Sequence, residues 1–323
     1  MSPLLITGST GFVGRTLLLR AVGAGTPVLA PVRDAAKLRA QLDEEKVPRE
    51  LVTPLPADPR AWGAIHPDRA VLCAGVLFAR SREEYIRTNV DWNLEVMRAL
   101  PVSCHTVVLS SQSAGGPTPL GHASRSEADP DAPVTWYGES KRELERELSR
   151  EFPRRRLTIL RPPMILGARD SATLPLFKMA RGFVRPKPGL RQKFYSFLGV
   201  EDVVDAILAA FSLDVRGPFY LGGEAPVSDL QLLVSAARAA GGKGFTLPVP
   251  QVFVRMLALV VDAVPSMRRA TPSLTRDRAR EIWPDRWVVD AAAFRGAAGW
   301  RATITLDRAL DEAFAWFRQQ HLL

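Results

Sequence analysis

The sequence predicts an α/β fold: a doubly wound parallel sheet with a smaller, discontinuous, mostly helical C-terminal lobe. Three observations predict it. The first 165 residues alternate short apolar runs with helix-patterned segments, the order that builds a parallel sheet covered on both faces. A glycine-spaced loop separates the first apolar run from the first helix pattern. Beyond residue 222 the patterning is mostly helical.

Leu4–Thr7 reads as a buried strand and residues 11–24 as the helix that follows. Residues 27–32 read as the second strand and 34–45 as a charged helix. Proline removes a ladder donor, so Pro31 is placed at the end of its strand. Residues 50–55, 70–73 and 106–110 are three more strand segments, with helices at 82–100 and 137–150 between or after them. Leu157–Arg161 is the sixth strand. Residues 162–196 are rich in proline, glycine and basic side chains. An amphipathic helix at 199–213 and a short strand at 218–221 come next, then helices at 226–240, 249–264, 273–282 and 304–320. The expected division is 1–166 plus 197–222 for the sheet domain and 167–196 plus 223–323 for the lobe.

Composition narrows the function classes. Of 323 residues 46% are hydrophobic and 24% charged, which excludes a disordered chain. No apolar run reaches the ~18 residues of a membrane span. The first residues carry no basic segment ahead of their apolar stretch, so a signal peptide is not expected. The two cysteines, Cys73 and Cys104, read as buried free thiols in a reducing cytoplasm. The four histidines show no metal-ligand spacing, and no metal is expected. The net charge of +9 leaves nucleic acid, a membrane surface or an anionic ligand open.

Thr7-Gly8-Ser9-Thr10-Gly11-Phe12-Val13-Gly14 lies between strand and helix. Gly8 permits the tight turn, Gly11 lets backbone approach a pyrophosphate, and Gly14 allows close helix–strand packing. The helix start then presents free N–H groups to the phosphates. This is a Rossmann-type dinucleotide site, with an ordinary glycine turn as the alternative. The second strand ends at Arg33-Asp34, with Lys37 one turn on. An arginine there accommodates a 2′-phosphate, whereas NAD sites usually place an acid there. NADP is therefore preferred over NAD, although Arg33 and Lys37 also read as a solvated helix start. Asp58 is placed to bond the adenine or to cap a proline-started helix.

Tyr137 and Lys141 are four apart on a helix and share a face. A phenol is a poor base at neutral pH, and a nearby ammonium stabilises its anion. The pair can then relay protons at a substrate oxygen. Ser110-Ser111-Gln112-Ser113 ends the fifth strand 26 residues before Tyr137, at the sheet edge where such folds bind ligands.

Together these motifs resemble the short-chain dehydrogenase/reductase superfamily in its extended, NAD-dependent epimerase/dehydratase-like form. The resemblance runs over nearly the whole chain. It rests on Thr7 to Gly14, Cys73-Ala74-Gly75, Asn89, the strand-five serine, Tyr137 with Lys141, Arg161-Pro162-Pro163 with Gly167, and Val200-Glu201-Asp202. The pattern is most similar to 3β-hydroxysteroid dehydrogenase and dihydroflavonol reductase-type members, whose C-terminal half also carries tryptophans like Trp283, Trp287 and Trp300. The resemblance implies Tyr137 as general acid/base and Lys141 as the group that lowers its pKa and binds the nicotinamide ribose. It implies Ser111, with Ser113 as competitor, as the group orienting the substrate oxygen. Asn89 would hold a structural water or a helix kink. Thr10, Phe12, Val13, Ala74, Gly75 and Pro162 join the glycine loop in lining the cofactor. A homodimer through helices 82–100 and 137–150 is also implied. Two departures affect the substrate class. Gly115 stands where an aromatic usually precedes Gly116, and Leu166 replaces the tyrosine common before Gly167. An acidic pair needed for 4,6-dehydration is missing at Gln112-Ser113.

Residues 169–193 hold seven basic side chains against Asp170. They read as a solvated lobe edge or as partners for a diphosphate substrate. No aromatic interleaving supports nucleic acid. Residues 252–264 are apolar nearly all round, with Arg255 and Asp262 on one narrow stripe. Burial is the expectation; a pocket wall or peripheral membrane contact helped by Arg268 and Arg269 is the alternative. The leading expectation is an NADP-preferring oxidoreductase acting on a carbonyl or secondary alcohol of a fairly apolar small molecule. A nucleotide-sugar epimerase holding NAD tightly is second, and a cofactor-sensing protein without turnover is third.

Overall fold

In the computed structural model, residues 2–213, 217–264 and 275–323 are described. Seven parallel strands form the central sheet: β1 (Leu4–Thr7), β2 (Val28–Val32), β3 (Val52–Pro56), β4 (Arg69–Leu72), β5 (His105–Leu109), β6 (Leu157–Arg161) and β11 (Pro218–Tyr220). Their order is β11-β6-β5-β4-β1-β2-β3. The chain winds outward from β1 in one direction, then crosses back to β4, so the β1–β4 boundary is the switch point where such sheets bind ligands.

Period-two alternation sends successive residues to opposite faces. Leu4 and Ile6 enter one core with helix α1 (Phe12–Gly23), helix α2 (Ala35–Glu44) and residues Val200 to Leu213. Leu5 enters the other, with helix α3 (residues 82–99) and helix α5 (Trp136–Glu151). The short helix α4 is Gln112–Gly115. Helices α3 and α5 are tied by Arg82–Glu139 and Arg98–Glu151 ion pairs of 3.0 and 2.8 Å.

Pro31 is not the last residue of its strand; it is the fourth of five and pairs with Leu55. It is tolerated because β1 pairs only with Val28 and Leu29, so no ladder bond is asked of Pro31 on that side.

Three further strand sets went unread in the sequence because they are only two to five residues long. β7 (Met164–Leu166) pairs in parallel with β10 (Phe197–Gly199). β9 (Phe194–Tyr195) lies between β12 (Val227–Ser228) and β14 (Arg286–Trp287). β8 (Val184–Pro188) and β13 (Phe245–Val249) make a parallel ribbon. A third core joins helix α6 (Leu174–Ala180), helix α8 (Asp229–Ala240) and helix α12 (Leu306–Gln319) through Phe177, Ala236 and Phe317. Helix α7 (Val200–Ala210) holds the chain's last segment to the sheet: Asp202 accepts from Thr303 N–H at 2.9 Å and Ile304 N–H at 3.1 Å.

Two expectations are corrected. Helix α9 (Gln251–Ala263) is not buried. Only Val254, Ala258 and Val261 are covered, whereas Phe253 and Met256 are 60% and 57% exposed. The basic stretch is a solvated edge only in part: Lys178, Arg181 and Arg191 are exposed, while Arg185, Lys187 and Lys193 are buried. Lys193 is 1% exposed and donates to the Ile282 carbonyl. Lys187 pairs with Asp229 at 2.9 Å, and Arg169 with Glu45 at 2.8 Å. The helix expected at 273–282 is described from residue 275, as helix α10 (Arg276–Ala279) and one further turn, Arg280–Ile282. Residues 273 and 274, like Arg268 and Arg269, lie outside the described residues. Helix α11 (Ala292–Ala298) completes the set.

Candidate active site

The glycine loop closes on itself: Gly11 N–H donates to Gly8 O at 2.8 Å. Gly8 has φ +68°, and a Cβ there would stand 2.9 Å from Ala74 N. A Cβ on Gly14 would lie 2.2 Å from Gly8 O, so only glycine lets α1 sit this close to β1. Thr7 Oγ1 accepts from Ala74 N–H at 3.1 Å and so ties the end of β1 to the end of β4. Gly11 caps α1 without a side-chain bond, and the first turn contains no acid. Its N–H groups therefore remain available to an anion. Ser9 Oγ in the same loop is buried without a partner. Phe12 and Val13 turn their side chains into the core and Thr10 accepts from Gln41 at 3.4 Å, leaving their backbone as the part a cofactor meets. This cradle fits a dinucleotide's phosphates.

At the end of β2, Arg33 and Lys37 are exposed, and neither side chain pairs with a described residue. Asp34 is instead the N-cap of α2, accepting from Lys37 N–H at 2.9 Å. Asp58 is also a cap: it accepts from Arg60 N–H and Nε, both at 3.0 Å, which holds its carboxyl below the usual range.

Beyond β4, a Cβ on Gly75 would meet Asn89 Oδ1 at 3.0 Å and Lys141 Nζ at 3.4 Å. Asn89 is fully buried in a π-helical turn, Ile86–Asp91, that interrupts α3. Its amide accepts from Val76 N–H at 2.8 Å and donates to Ser140 Oγ at 3.0 Å. Asn93, unread in the sequence, supports the turn by donating to Asn89 O at 3.0 Å and Ala74 O at 3.3 Å. Such turns recur at functional sites because they re-aim one side chain.

Ser111, Tyr137 and Lys141 meet at the end of β5. Ser111 is the N-cap of α4, accepting from Ser113 N–H at 3.1 Å, and its hydroxyl favours the Tyr137 phenolate. Ser113 instead donates to Glu281 at 3.2 Å, and Ser110 donates to Glu145. Lys141 Nζ donates to Leu109 O, the last carbonyl of β5, at 3.0 Å. Burial pulls Lys141 down to about 8 and pushes Tyr137 up to about 12. Gly138 makes the approach possible, since a Cβ there would stand 2.3 Å from Ser113 O. Pro162 O accepts from Gln112 N–H at 2.8 Å and fixes α4 against β6. Arg161 binds Glu145 and Asp131 and donates to Tyr220 at 3.0 Å, anchoring α5 one turn past Lys141. A side chain at Gly115 would strike that Tyr220 hydroxyl at 1.8 Å, which accounts for the missing aromatic.

Sequence reading missed the partners supplied by α10 and the turn after it. The Arg278 guanidinium stands 5.4 Å from the Tyr137 ring centroid and 5.4 Å from that of Phe78. Its charge favours the phenolate, while Glu281, paired with it at 2.9 Å, opposes this. Asp277 accepts from Trp136 N–H at 3.2 Å. These residues lie some 140 positions from Tyr137, and no local pattern marks them. A cavity of about 600 Å³ opens beside them, walled by Tyr85, Trp136, Arg255, Asp262, Arg278 and Trp283. The ring of Tyr85 lies 6.2 Å from that of Tyr137. Among the described residues no cluster of His, Cys, Asp or Glu is placed to hold a metal ion.

Glycine cradle, parallel sheet and Tyr–Lys helix define the class: an NAD(P)-dependent oxidoreductase of the extended short-chain type. The model of the NAD dependent epimerase/dehydratase family matches residues 4–220, and the chain belongs to that family. It is 26% identical over 318 residues to a ceramide reductase of Caulobacter vibrioides, covering 97% of this chain and 93% of that one. It is 25% identical over 242 residues to a dTDP-6-deoxy-L-talose 4-dehydrogenase (NAD(P)(+)) of Kitasatospora kifunensis, covering 64% and 68%. Its fold is similar to the UDP-glucose 4-epimerase of Thermotoga maritima solved with UDP-glucose, at a TM-score of 0.76 and 18% identity, with 99% of each chain covered.

Proposed function

We propose that the protein reduces a carbonyl, or oxidises the corresponding secondary alcohol, on an apolar lipid-like molecule, with NADP preferred over NAD. The carrying observation is Tyr137, with buried Lys141 on the same helix and Ser111 favouring its phenolate, beside an aromatic-walled cavity lined by the Arg278 that stands over its ring. Bound nicotinamide supplies or takes up the hydride. In reduction Tyr137 gives its proton to the substrate oxygen, and Ser111 donates a hydrogen bond to that oxygen. Lys141 holds the resulting phenolate and returns a proton to it. Leu109 O, accepting from Lys141 Nζ, keeps Lys141 in position.

Supporting the apolar substrate, the cavity contains Trp136 and Trp283, and the relative that spans 97% of the chain is named a ceramide reductase. Of the charges that would favour a sugar diphosphate, Lys187, Lys193 and Arg169 are bound internally. Residues 167–196 plus 223–323 are the side from which substrate would be held. Purified protein incubated with NADPH and long-chain ketones in micelles is expected to consume NADPH. Tyr137→Phe is expected to remove ~10²-fold or more of that rate. Tightly retained NAD in the purified protein, with conversion of UDP-glucose instead, would overturn the reading.

A further inference from the structure

The outer side of the lobe is apolar where a free surface is usually polar. Val252, Phe253, Met256, Leu257, Val260 and Val264 all lie exposed along α9. On the adjoining ribbon the pleat is inverted. Val184 and Pro186 face outward while Arg185 and Lys187 are buried. Phe245 and Leu247 of β13 are exposed opposite them, in register with Val184 and Pro186. Phe183 packs edge-on against Phe245 with ring centroids 5.7 Å apart. An exposed apolar face spread over two elements marks an interaction surface.

Charge indicates the partner. Over residues 181–191 and 241–264 the exposed basic side chains are Arg181, Arg191, Lys243 and Arg255, of which Arg191 pairs with Asp285, against the single acid Asp262. Arg181 and Lys243 are exposed and flank the Phe183–Phe245 end of the ribbon, where a Cβ on Gly242 would stand 3.2 Å from Arg181 Cα. Arg255 and Asp262 share the polar edge of α9, and that edge turns to the cavity. Apolar and aromatic side chains bordered by cations are what a helix lying in an anionic bilayer interface presents. No described helix is long and apolar enough to cross a membrane, so contact would be peripheral.

We infer that the α9 face and the β8–β13 ribbon dock on a bilayer surface carrying anionic lipid. Docking places the cavity mouth, on the other edge of α9, at the lipid interface. It is independent of the hydride chemistry proposed above.

The test is flotation of the full chain with vesicles of phosphatidylglycerol and phosphatidylcholine in equal parts, and with phosphatidylcholine alone. Each variant is also titrated with NADPH, so that a lost cofactor site is read separately from lost docking. The wild type is expected to float with the anionic vesicles and less with the neutral ones. The double variant Met256→Glu with Val260→Glu is expected to lose at least roughly tenfold in partitioning, with NADPH affinity unchanged. Lys243→Gln is expected to lose roughly fivefold on anionic vesicles only. Leu120→Glu, at an exposed apolar residue elsewhere, is expected to change nothing. A wild type that stays unbound with every vesicle overturns the inference. So does binding that the double variant leaves intact. A dimer that the double variant dissociates, without vesicle binding, overturns it in favour of a second copy on this face.

Discussion

Arg33→Ala is expected to weaken NADPH binding while leaving NADH binding almost untouched. Arg33 is exposed and pairs with no described residue, so no internal ion pair must break before it meets a phosphate. The acid beside it is occupied: Asp34 already accepts from Lys37 N–H at 2.9 Å and is a weak competitor for the ribose hydroxyls. A hydrogen bond between charged groups contributes ~1.5–3 kcal/mol, and solvent exposure argues for the lower end. That is about a tenfold rise in the NADPH dissociation constant. Adding Lys37→Ala is expected to bring the loss to about 30–100-fold, since Lys37 is exposed and unpaired on the next turn. Tryptophan-fluorescence titrations with NADPH and NADH, at low and high salt, read both. The NADPH effect should shrink as salt screens the phosphate. Equal weakening of both cofactors by Arg33→Ala, or tighter NADH than NADPH binding in the wild type, would refute the reasoning.

Three further outcomes are expected. Gly14→Ala forces a Cβ to 2.2 Å from Gly8 O, so urea unfolding should show a loss of ~2–3 kcal/mol together with weakened NADPH binding; an unchanged midpoint and affinity would count against the cradle. Lys141→Met should stabilise the cofactor-free protein at pH 7 by ~1–2 kcal/mol, because burial holds Lys141 near 8 against 10.5 unfolded, less the bond lost at Leu109 O. The cost of charging that lysine is carried in full below pH 8 and relieved as pH rises toward 10.5, so the variant's advantage should fade over that window. Tyr137 has the opposite sign, with stability kept below pH 10 and lost as pH climbs toward 12. Arg278→Met should move the alkaline limb of the turnover–pH profile upward, by about half to one pH unit, and Glu281→Gln should move it downward; shifts in the same direction would exclude a charge effect on Tyr137.

The sheet was legible because strand–helix alternation and the glycine spacing are local signals, and each element needs only its own residues to be read. Tyr137, Lys141, Ser111 and Asn89 were singled out by motif spacing, and the fold places them at the ends of β4 and β5. The π-helical turn was not, because Asn89 and Asn93 act through contacts with Val76 and Ala74, which only the fold supplies. Arg278 and Glu281 were out of reach for the same reason. Arg155 donates to the Leu100 carbonyl, 55 positions away, at 2.9 Å and seals the end of α3.

Part of the basic stretch and the apolar helix exchange their expected places. Arg185, Lys187 and Lys193 are buried, while Lys178, Arg181 and Arg191 of the same stretch stay exposed. The helix that promised a core is the exposed one. Period-two geometry makes the ribbon's choice sharp, since a one-residue slip of β8 would bury Val184 and Pro186 and free Arg185 and Lys187. That slip is opposed by the Lys187–Asp229 pair, by Lys187 Nζ donating to Gly189 O at 3.2 Å and Arg191 O at 2.8 Å, and by Gly189 N–H donating to Val249 O at 2.8 Å. The observed register still leaves Arg185 Nε and Nη1 buried without partners. An unsatisfied buried donor costs ~1–3 kcal/mol, a loss the slipped register would avoid. A fold that keeps this register despite the unpaired Arg185 atoms, and turns its apolar side chains outward, is explained if that outer face has a partner, and lipid is the partner that exposed Arg181 and Lys243 suit.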